Sequence, residues 1–311
     1  MRSETNVTEM VHRKSFLAFL LPLLAFGCAK PTVSIPTGSR IEGFDEASKR
    51  ITANPVGFLQ ESLDETQKLN AYTLTFQRQE RLGLLKELKP QENMRAEFRE
   101  SPFSVRFTWL DDECEYKQAV YVKGKNSNNV LLLPRKGVIG QPPKVQSYPP
   151  SFAVLFGKSR NPITDFGARR MMERIIDRIE KAKKLGDVVI KLREPTEIGP
   201  NKEPCFYLEL RYPAGDEFPC KLQDLYISAR TKLPVATYLW LPGKVERSSE
   251  TLDGMYVYGG LKPVDTLADS YFIIDADKKQ ALAESDDTLA GDPADADGAT
   301  GSPPAADDYF P

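Results

Sequence analysis

Residues 102–110 read Pro102-Phe103-Ser104-Val105-Arg106-Phe107-Thr108-Trp109-Leu110. Phe103, Val105, Phe107 and Trp109 fall on one side of that segment, and Ser104, Arg106 and Thr108 on the other. A period of two marks a strand with one face in an apolar core. The same alternation places Tyr72, Leu74 and Phe76 on one face of an earlier strand. It marks further candidates at 92–100, 117–123, 129–134, 187–193, 205–212, 220–229, 234–241 and 253–260. Turn-forming residues separate them at Lys125-Asn126-Ser127-Asn128, Pro213-Ala214-Gly215-Asp216 and Pro242-Gly243. About ten strands in one sheet cannot stay flat, and a sheet that curls acquires a concave apolar face.

Only two substantial segments carry helical spacing. The first spans 45–69, with a break at Ala53-Asn54-Pro55 and then an apolar stripe of Val56, Phe58, Leu59, Leu63 and Leu69. The second begins at a cap, Thr164 or Asp165, and stops at Gly186. Phe166, Met171, Met172, Ile175, Ile176, Ile179, Ala182 and Leu185 mark its apolar face, and Arg169, Arg170, Arg174, Arg178, Lys181 and Lys183 crowd the other sides. That face reads as plain core, as a plug over an open barrel, or as both. The fold class expected is therefore α+β: a strongly curved antiparallel sheet, an open half-barrel of about ten strands, covered by two or three helices.

The N-terminus carries a different signal. Arg2, Arg13 and Lys14 precede the uncharged run FLAFLLPLLAFG at 16–27. That run is short of the roughly 20 residues that span a bilayer and suits a signal peptide. It ends in Ala25-Phe26-Gly27-Cys28, which resembles the lipobox of bacterial lipoproteins. By that resemblance the chain is cut before Cys28 and diacylglycerol is attached to its thiol; the other reading is an ordinary signal with an incidental cysteine. Ala29 in place of Asp, by resemblance to enterobacterial sorting rules, points to the outer membrane facing the periplasm. The expected organisation is a signal peptide at 1–27, a lipidated tether at 28–42, a half-barrel domain at 43–276 and an acidic disordered tail at 277–311.

Composition removes several chemistries. The only histidine, His12, lies in the signal, so histidine-based nucleophile systems and histidine metal sites are excluded from the remaining chain. Cys28, Cys114, Cys205 and Cys220 form no C-x-x-C pair. Cys205 and Cys220 are candidates for a disulfide in an exported protein, although a turn at 213–216 offsets them along the hairpin. No glycine-rich phosphate loop occurs, no basic stripe suggests nucleic acid, and no cofactor is implied. Carboxylate runs such as Asp111-Asp112-Glu113 read as solvated loop rather than a catalytic pair.

Four groups of residues carry a family resemblance. Phe76-Gln77-Arg78-Gln79-Glu80-Arg81-Leu82-Gly83 is followed by the 102–110 strand. Then come Tyr121-Val122-Lys123-Gly124-Lys125-Asn126 and, ahead of the long helix, Asn161-Pro162-Ile163-Thr164-Asp165-Phe166-Gly167. Together they resemble the exported bacterial family of domain of unknown function 1571, over roughly residues 50–275. That resemblance implies no activity. The strand and helix order is also similar, more loosely, to the LolA/LolB lipoprotein carriers and receptors and to the RseB sensor domain. This likeness implies a half-barrel closed by helices, with acyl chains held inside it in the carriers.

The reading that follows is a binding protein rather than an enzyme: a membrane-anchored lipoprotein holding an acyl chain, a lipoprotein lipid group or a similar amphiphile in an apolar groove. Candidate cavity residues are Phe76, Phe107, Trp109, Met172, Ile176, Tyr238 and Trp240. Tyr238 and Trp240 share one face of their strand, and Val235, Thr237 and Leu239 the other; if both faces are buried, alternation does not say which row meets the cavity. The alternative is an envelope structural or protein-interaction lipoprotein with a filled core and no ligand.

Overall fold

The computed structural model describes residues 41–137, 141–186, 188–213, 218, 220–242 and 246–275. The signal peptide, Cys28, the tether up to residue 40, the acidic tail, the Ala214-Gly215-Asp216 turn and Gly243 lie outside the described residues. Twelve strands form one antiparallel sheet: β1 (Ala71–Leu82), β2 (Glu87–Leu88), β3 (Glu92–Arg99), β4 (Ser104–Trp109), β5 (Tyr116–Val122), β6 (Val130–Pro134), β7 (Gln146–Tyr148), β8 (Val189–Ile198), β9 (Glu203–Arg211), β10 (Leu222–Ser228), β11 (Pro234–Trp240) and β12 (Leu252–Val264). The alternating segments all become strands, and the two that alternation did not indicate, β2 and β7, are two and three residues long.

The order across the sheet is β7-β6-β5-β4-β3-β1-β12-β11-β10-β9-β8, with β2 beside β1. It is two meanders joined at one seam, where β1 pairs with β12 and Phe76 stands opposite Tyr258. β7 and β8 are the two ends of this order, so the sheet is open. Between them the chain leaves the sheet and crosses from one edge to the other. It does so through α3 (Phe152–Leu155), a 3-10 turn at Ile163–Asp165 and α4 (Ala168–Leu185).

The first helical segment is two helices, α1 (Phe44–Ala53) and α2 (Pro55–Gln67). They meet at the expected break: the Asn54 side chain accepts a hydrogen bond from Gly57 N at 2.9 Å, and Pro55 occupies the first helical position, where its missing N–H costs nothing. Phe58, Leu59 and Leu63 carry α2 into the core, and α2 packs on α4.

The start of α4 differs from expectation. Thr164 and Asp165 lie in the preceding turn, and Gly167 is the capping residue, at φ 133°. The cap is tertiary: the Tyr72 hydroxyl of β1 accepts the Ala168 N–H at 2.9 Å. Burial holds the Tyr72 phenol well above its usual pKa, so it remains a neutral hydroxyl. A Cβ on Gly167 would stand 3.3 Å from the Phe98 ring and 3.5 Å from that hydroxyl.

The sheet is buried on both faces over β10 and β11. One face joins the main core beneath the helices. The other carries a second apolar cluster that includes Cys205, Leu222, Tyr226, Tyr238, Trp240, Leu252 and Met255. The sheet coils so strongly there that Pro200, in the β8–β9 turn, lies close against Gly259 of β12. Two carboxylates sit within this outer layer. Asp224, fully buried, accepts hydrogen bonds from the Tyr207 hydroxyl (3.0 Å), Trp240 Nε1 (2.8 Å) and Arg247 Nε (2.7 Å). Glu209 meets Arg193, Arg211 and Arg247 at 2.9, 2.8 and 2.6 Å.

Cys205 and Cys220 are both free thiols. The register sets Cys205 opposite Ser228, at the far end of the β9–β10 hairpin from Cys220. The seven residues of β10 separate the two by roughly 20 Å, far beyond disulfide reach.

Two outcomes follow. Replacing Gly167→Ala should lower stability by roughly 1–3 kcal/mol, because the backbone there is strained for any residue with a Cβ; chemical denaturation measures it. Burial raises the Glu209 pKa, but the three arginines outweigh it and hold the group at about 2. Its folded pKa lies below the unfolded one, so its stabilisation is full above about pH 4.5 and is lost as pH falls toward 2. The melting temperature should therefore drop across that window, and Glu209→Gln should flatten the drop while lowering the melting temperature at pH 7.

Candidate functional site

The crossover does not fill the space beneath it. A cavity of about 260 Å³ remains between the inner face of the sheet and the segment that contains α3 and α4. Its size approaches the lower end of small-molecule sites, roughly 300 Å³.

One part of its wall is aromatic. Phe166, immediately before α4, points down onto the sheet. Its ring centroid lies 5.1 Å from Phe76 (β1), 4.8 Å from Phe107 (β4) and 5.3 Å from Tyr258 (β12). Phe76 and Phe107 themselves stack at 5.7 Å although β3 runs between their strands; Ala96 of β3, small and fully buried, stands opposite Phe107 and leaves them room. Trp109 extends the aromatic wall, 6.2 Å from Phe107 and 6.2 Å from Tyr116.

Another part of the wall is polar, and most of that part is internally neutralised. Arg78 Nε donates to Glu92 Oε2 at 2.7 Å, and its Nη1 to Ser159 Oγ at 2.9 Å. The other oxygen of Glu92 accepts from Trp109 Nε1 at 3.1 Å, which fixes the indole. Glu80, 2% exposed, accepts from the Tyr256 hydroxyl and from Arg160 N, and lies 3.8 Å from Arg78. Burial, then the Glu80 charge, keep the Tyr256 phenol well above its usual pKa. Arg160 pairs with Asp253, and Lys158 with Glu115. Lys158 and Ser159 are therefore not a Lys–Ser nucleophile pair: the amine is on Glu115 and the hydroxyl accepts from Arg78. Among the described residues no group of three or more His, Cys, Asp or Glu has the arrangement of a metal site.

Of the residues singled out from the sequence, Phe76, Phe107 and Trp109 line this cavity. Met172, Ile176, Tyr238 and Trp240 do not. On α4 the cavity-facing stripe is Met171, Arg174, Ile175 and Arg178, the i, i+3, i+4, i+7 set. Each residue turns the helix by about 100°, which carries Met172 and Ile176 off that stripe. Met172 is instead fully buried in the main core, and Ile176 packs against its side. On β11 the cavity row is Thr237 and Leu239. Tyr238 and Trp240 stack on one another at 6.0 Å in the outer cluster, where Trp240 binds Asp224. Both rows of that strand are buried, so alternation carried no information about direction. The signal for Arg174 and Arg178 was present in their spacing from Met171, but arginines on a helix read by default as solvated.

A search of curated protein sequences gives no match. Among solved structures, an uncharacterized conserved protein from Thermus thermophilus is 12% identical, with a TM-score of 0.35 over 68% of this chain and 91% of that one. The lipoprotein LppX of Mycobacterium tuberculosis is 12% identical, with a TM-score of 0.36 over 68% of this chain and 98% of that one. A LolA superfamily protein from Nitrosomonas europaea is 11% identical, with a TM-score of 0.24 over 71% and 97% of the two chains. Likeness of this degree carries no function across. A family model does match in sequence, over residues 69–281, and the chain belongs to that family: DUF1571, a protein of unknown function.

Proposed function

We propose that this protein is a lipid-anchored envelope protein that holds the apolar part of an amphiphile in its half-barrel, and that it works by binding rather than catalysis. The observation that carries the reading is the cavity itself: a space of about 260 Å³ with a continuous aromatic wall of Phe76, Phe107, Trp109 and Phe166. A filled-core interaction protein has no need of such a void. Aromatic side chains with fixed neighbours offer apolar surface at little entropic cost, which suits an acyl chain. The polar wall supports binding too, since Glu80, Glu92 and Glu115 are already engaged by arginine, lysine, tyrosine and tryptophan donors.

The anchor belongs to the same proposal. The uncharged run at 16–27 and the Ala25-Phe26-Gly27-Cys28 sequence support lipidation of Cys28, with residues 29–42 as the tether and the outer membrane, periplasmic side, as the location. Each buried lipid CH₂ contributes about 0.8 kcal/mol, so several chains on one cysteine hold a protein at a membrane.

Two experiments test these parts separately. Native mass spectrometry of the full chain carrying Cys28→Ser, purified without detergent, should show an added mass that organic extraction removes. Trp109→Asp should abolish that added mass while the far-UV spectrum stays native; a bare wild-type mass that also refuses added fatty acids and phospholipids overturns the reading. For the anchor, metabolic labelling with palmitate should mark the wild-type chain and shift it to the membrane fraction. Cys28→Ser should lose both the label and the fractionation, and an unlabelled wild-type chain would sink the lipoprotein assignment.

A further inference from the structure

Five cationic side chains line the cavity: Arg78, Lys158, Arg160, Arg174 and Arg178. Three of them have a carboxylate in direct contact, namely Glu92, Glu115 and Asp253. The two on α4 differ. Arg178 has no carboxylate partner among the described residues; its Nη1 donates to Gln223 Oε1 at 2.7 Å, and its guanidinium also hydrogen-bonds the Tyr212 side chain, 5.6 Å from that ring. Arg174 donates to the Asp165 main-chain carbonyl at 2.9 Å and pairs loosely with the Asp165 carboxylate at 3.8 Å.

The surroundings fix Arg178 without neutralising it. Gln223, 1% exposed, gives its carbonyl oxygen to both Arg178 and the Tyr212 hydroxyl (2.9 Å). Its amide nitrogen donates to Thr237 Oγ1 at 2.8 Å, and Thr237 in turn donates to the Asp224 carbonyl at 3.1 Å. That chain sets the amide's orientation and so holds the guanidinium, which carries five N–H groups in a planar fork matched to carboxylate and phosphate, more than Gln223 and Tyr212 take up. Arg174 and Arg178 lie one turn apart on one helix face, where like charges repel. Asp165 offsets only Arg174, and at 3.8 Å, so a further anion placed between the two arginines relieves their repulsion. Met171 and Ile175 share the same stripe, so α4 presents apolar and cationic groups together to one occupant.

We propose that the cavity's ligand is an acyl chain bearing an anionic oxygen headgroup, carboxylate or phosphate ester, and that Arg174 and Arg178 hold the headgroup. This rests on the amphiphile reading above and narrows it. The chain lies against the aromatic wall around Phe166, and the anion closes the charge that α4 leaves open.

Displacement of the neutral fluorescent probe N-phenyl-1-naphthylamine from the full chain tests it, with laurate, dodecyl phosphate and dodecanol as competitors of equal chain length. At least one anion should compete at concentrations about 10-fold below dodecanol, and the stronger of the two identifies the headgroup. Arg178→Gln should bring that anion to within about 2-fold of dodecanol and leave dodecanol unchanged, while Arg178→Lys keeps most of the preference. If Arg178→Gln loses its native melting transition, Arg174→Gln carries the same comparison. Equal competition by anions and alcohol in the wild-type protein overturns the headgroup site and leaves the amphiphile reading standing. No probe binding and no competition by any of the three removes the amphiphile reading itself.

Discussion

The seating of Phe166 and Gly167 on the sheet is the contact on which the site depends. The chain must travel from the β7 edge to the β8 edge, and the route passes over the inner face. Nothing in a crossover by itself decides how high above the sheet it runs. Here Phe166 is driven among Phe76, Phe98, Phe107 and Tyr258, and the next peptide is tied to Tyr72 through the Ala168 N–H. Glycine at 167 takes the positive φ of 133° that this seat requires and leaves the Phe98 ring and the Tyr72 hydroxyl unhindered. The pin sets the axis of α4, and that axis decides that Met171, Arg174, Ile175 and Arg178 face the cavity while Met172 and Ile179 face the core.

The two faces of the sheet are organised on different physical terms. On the outer face, Asp224 and Glu209 are sealed among arginines and tyrosines with short hydrogen bonds in several directions. Such a network tolerates no substitution that strands one partner, since an unpaired buried charge is far more costly than the pair is stabilising. The inner face keeps a void. The outer face thus buries a second apolar cluster over β9–β12, while the inner face leaves a cavity under the helices.

Strand positions were legible where one side of a strand is more polar than the other, as Ser104, Arg106 and Thr108 are beside Phe103, Val105 and Phe107. The break at Asn54-Pro55 was legible because the residues that make it are local. What the sequence did not disclose has in every case a non-local cause. The α4 cap comes from a tyrosine 96 residues earlier. The direction of Tyr238 and Trp240 depends on a second buried layer that includes Tyr226, and alternation between two apolar rows has no sign. Arg174 and Arg178 were hidden by their type: an arginine on a helix faces solvent unless a partner element roofs it, and the roof here is the sheet itself.

The seam between β1 and β12 has a consequence for how the chain assembles. The two meanders are each built from neighbours in sequence, yet the strands that join them begin at Ala71 and end at Val264. Loop closure over such a distance is entropically expensive and slow, and it must precede the contacts that reward it. A chain that emerges N-terminus first, from a ribosome or through a translocation channel, therefore has β1 waiting with one edge unpaired until nearly the whole domain has appeared. The first meander can pair as it appears, but the seam that joins it to the second closes only when the last strand arrives.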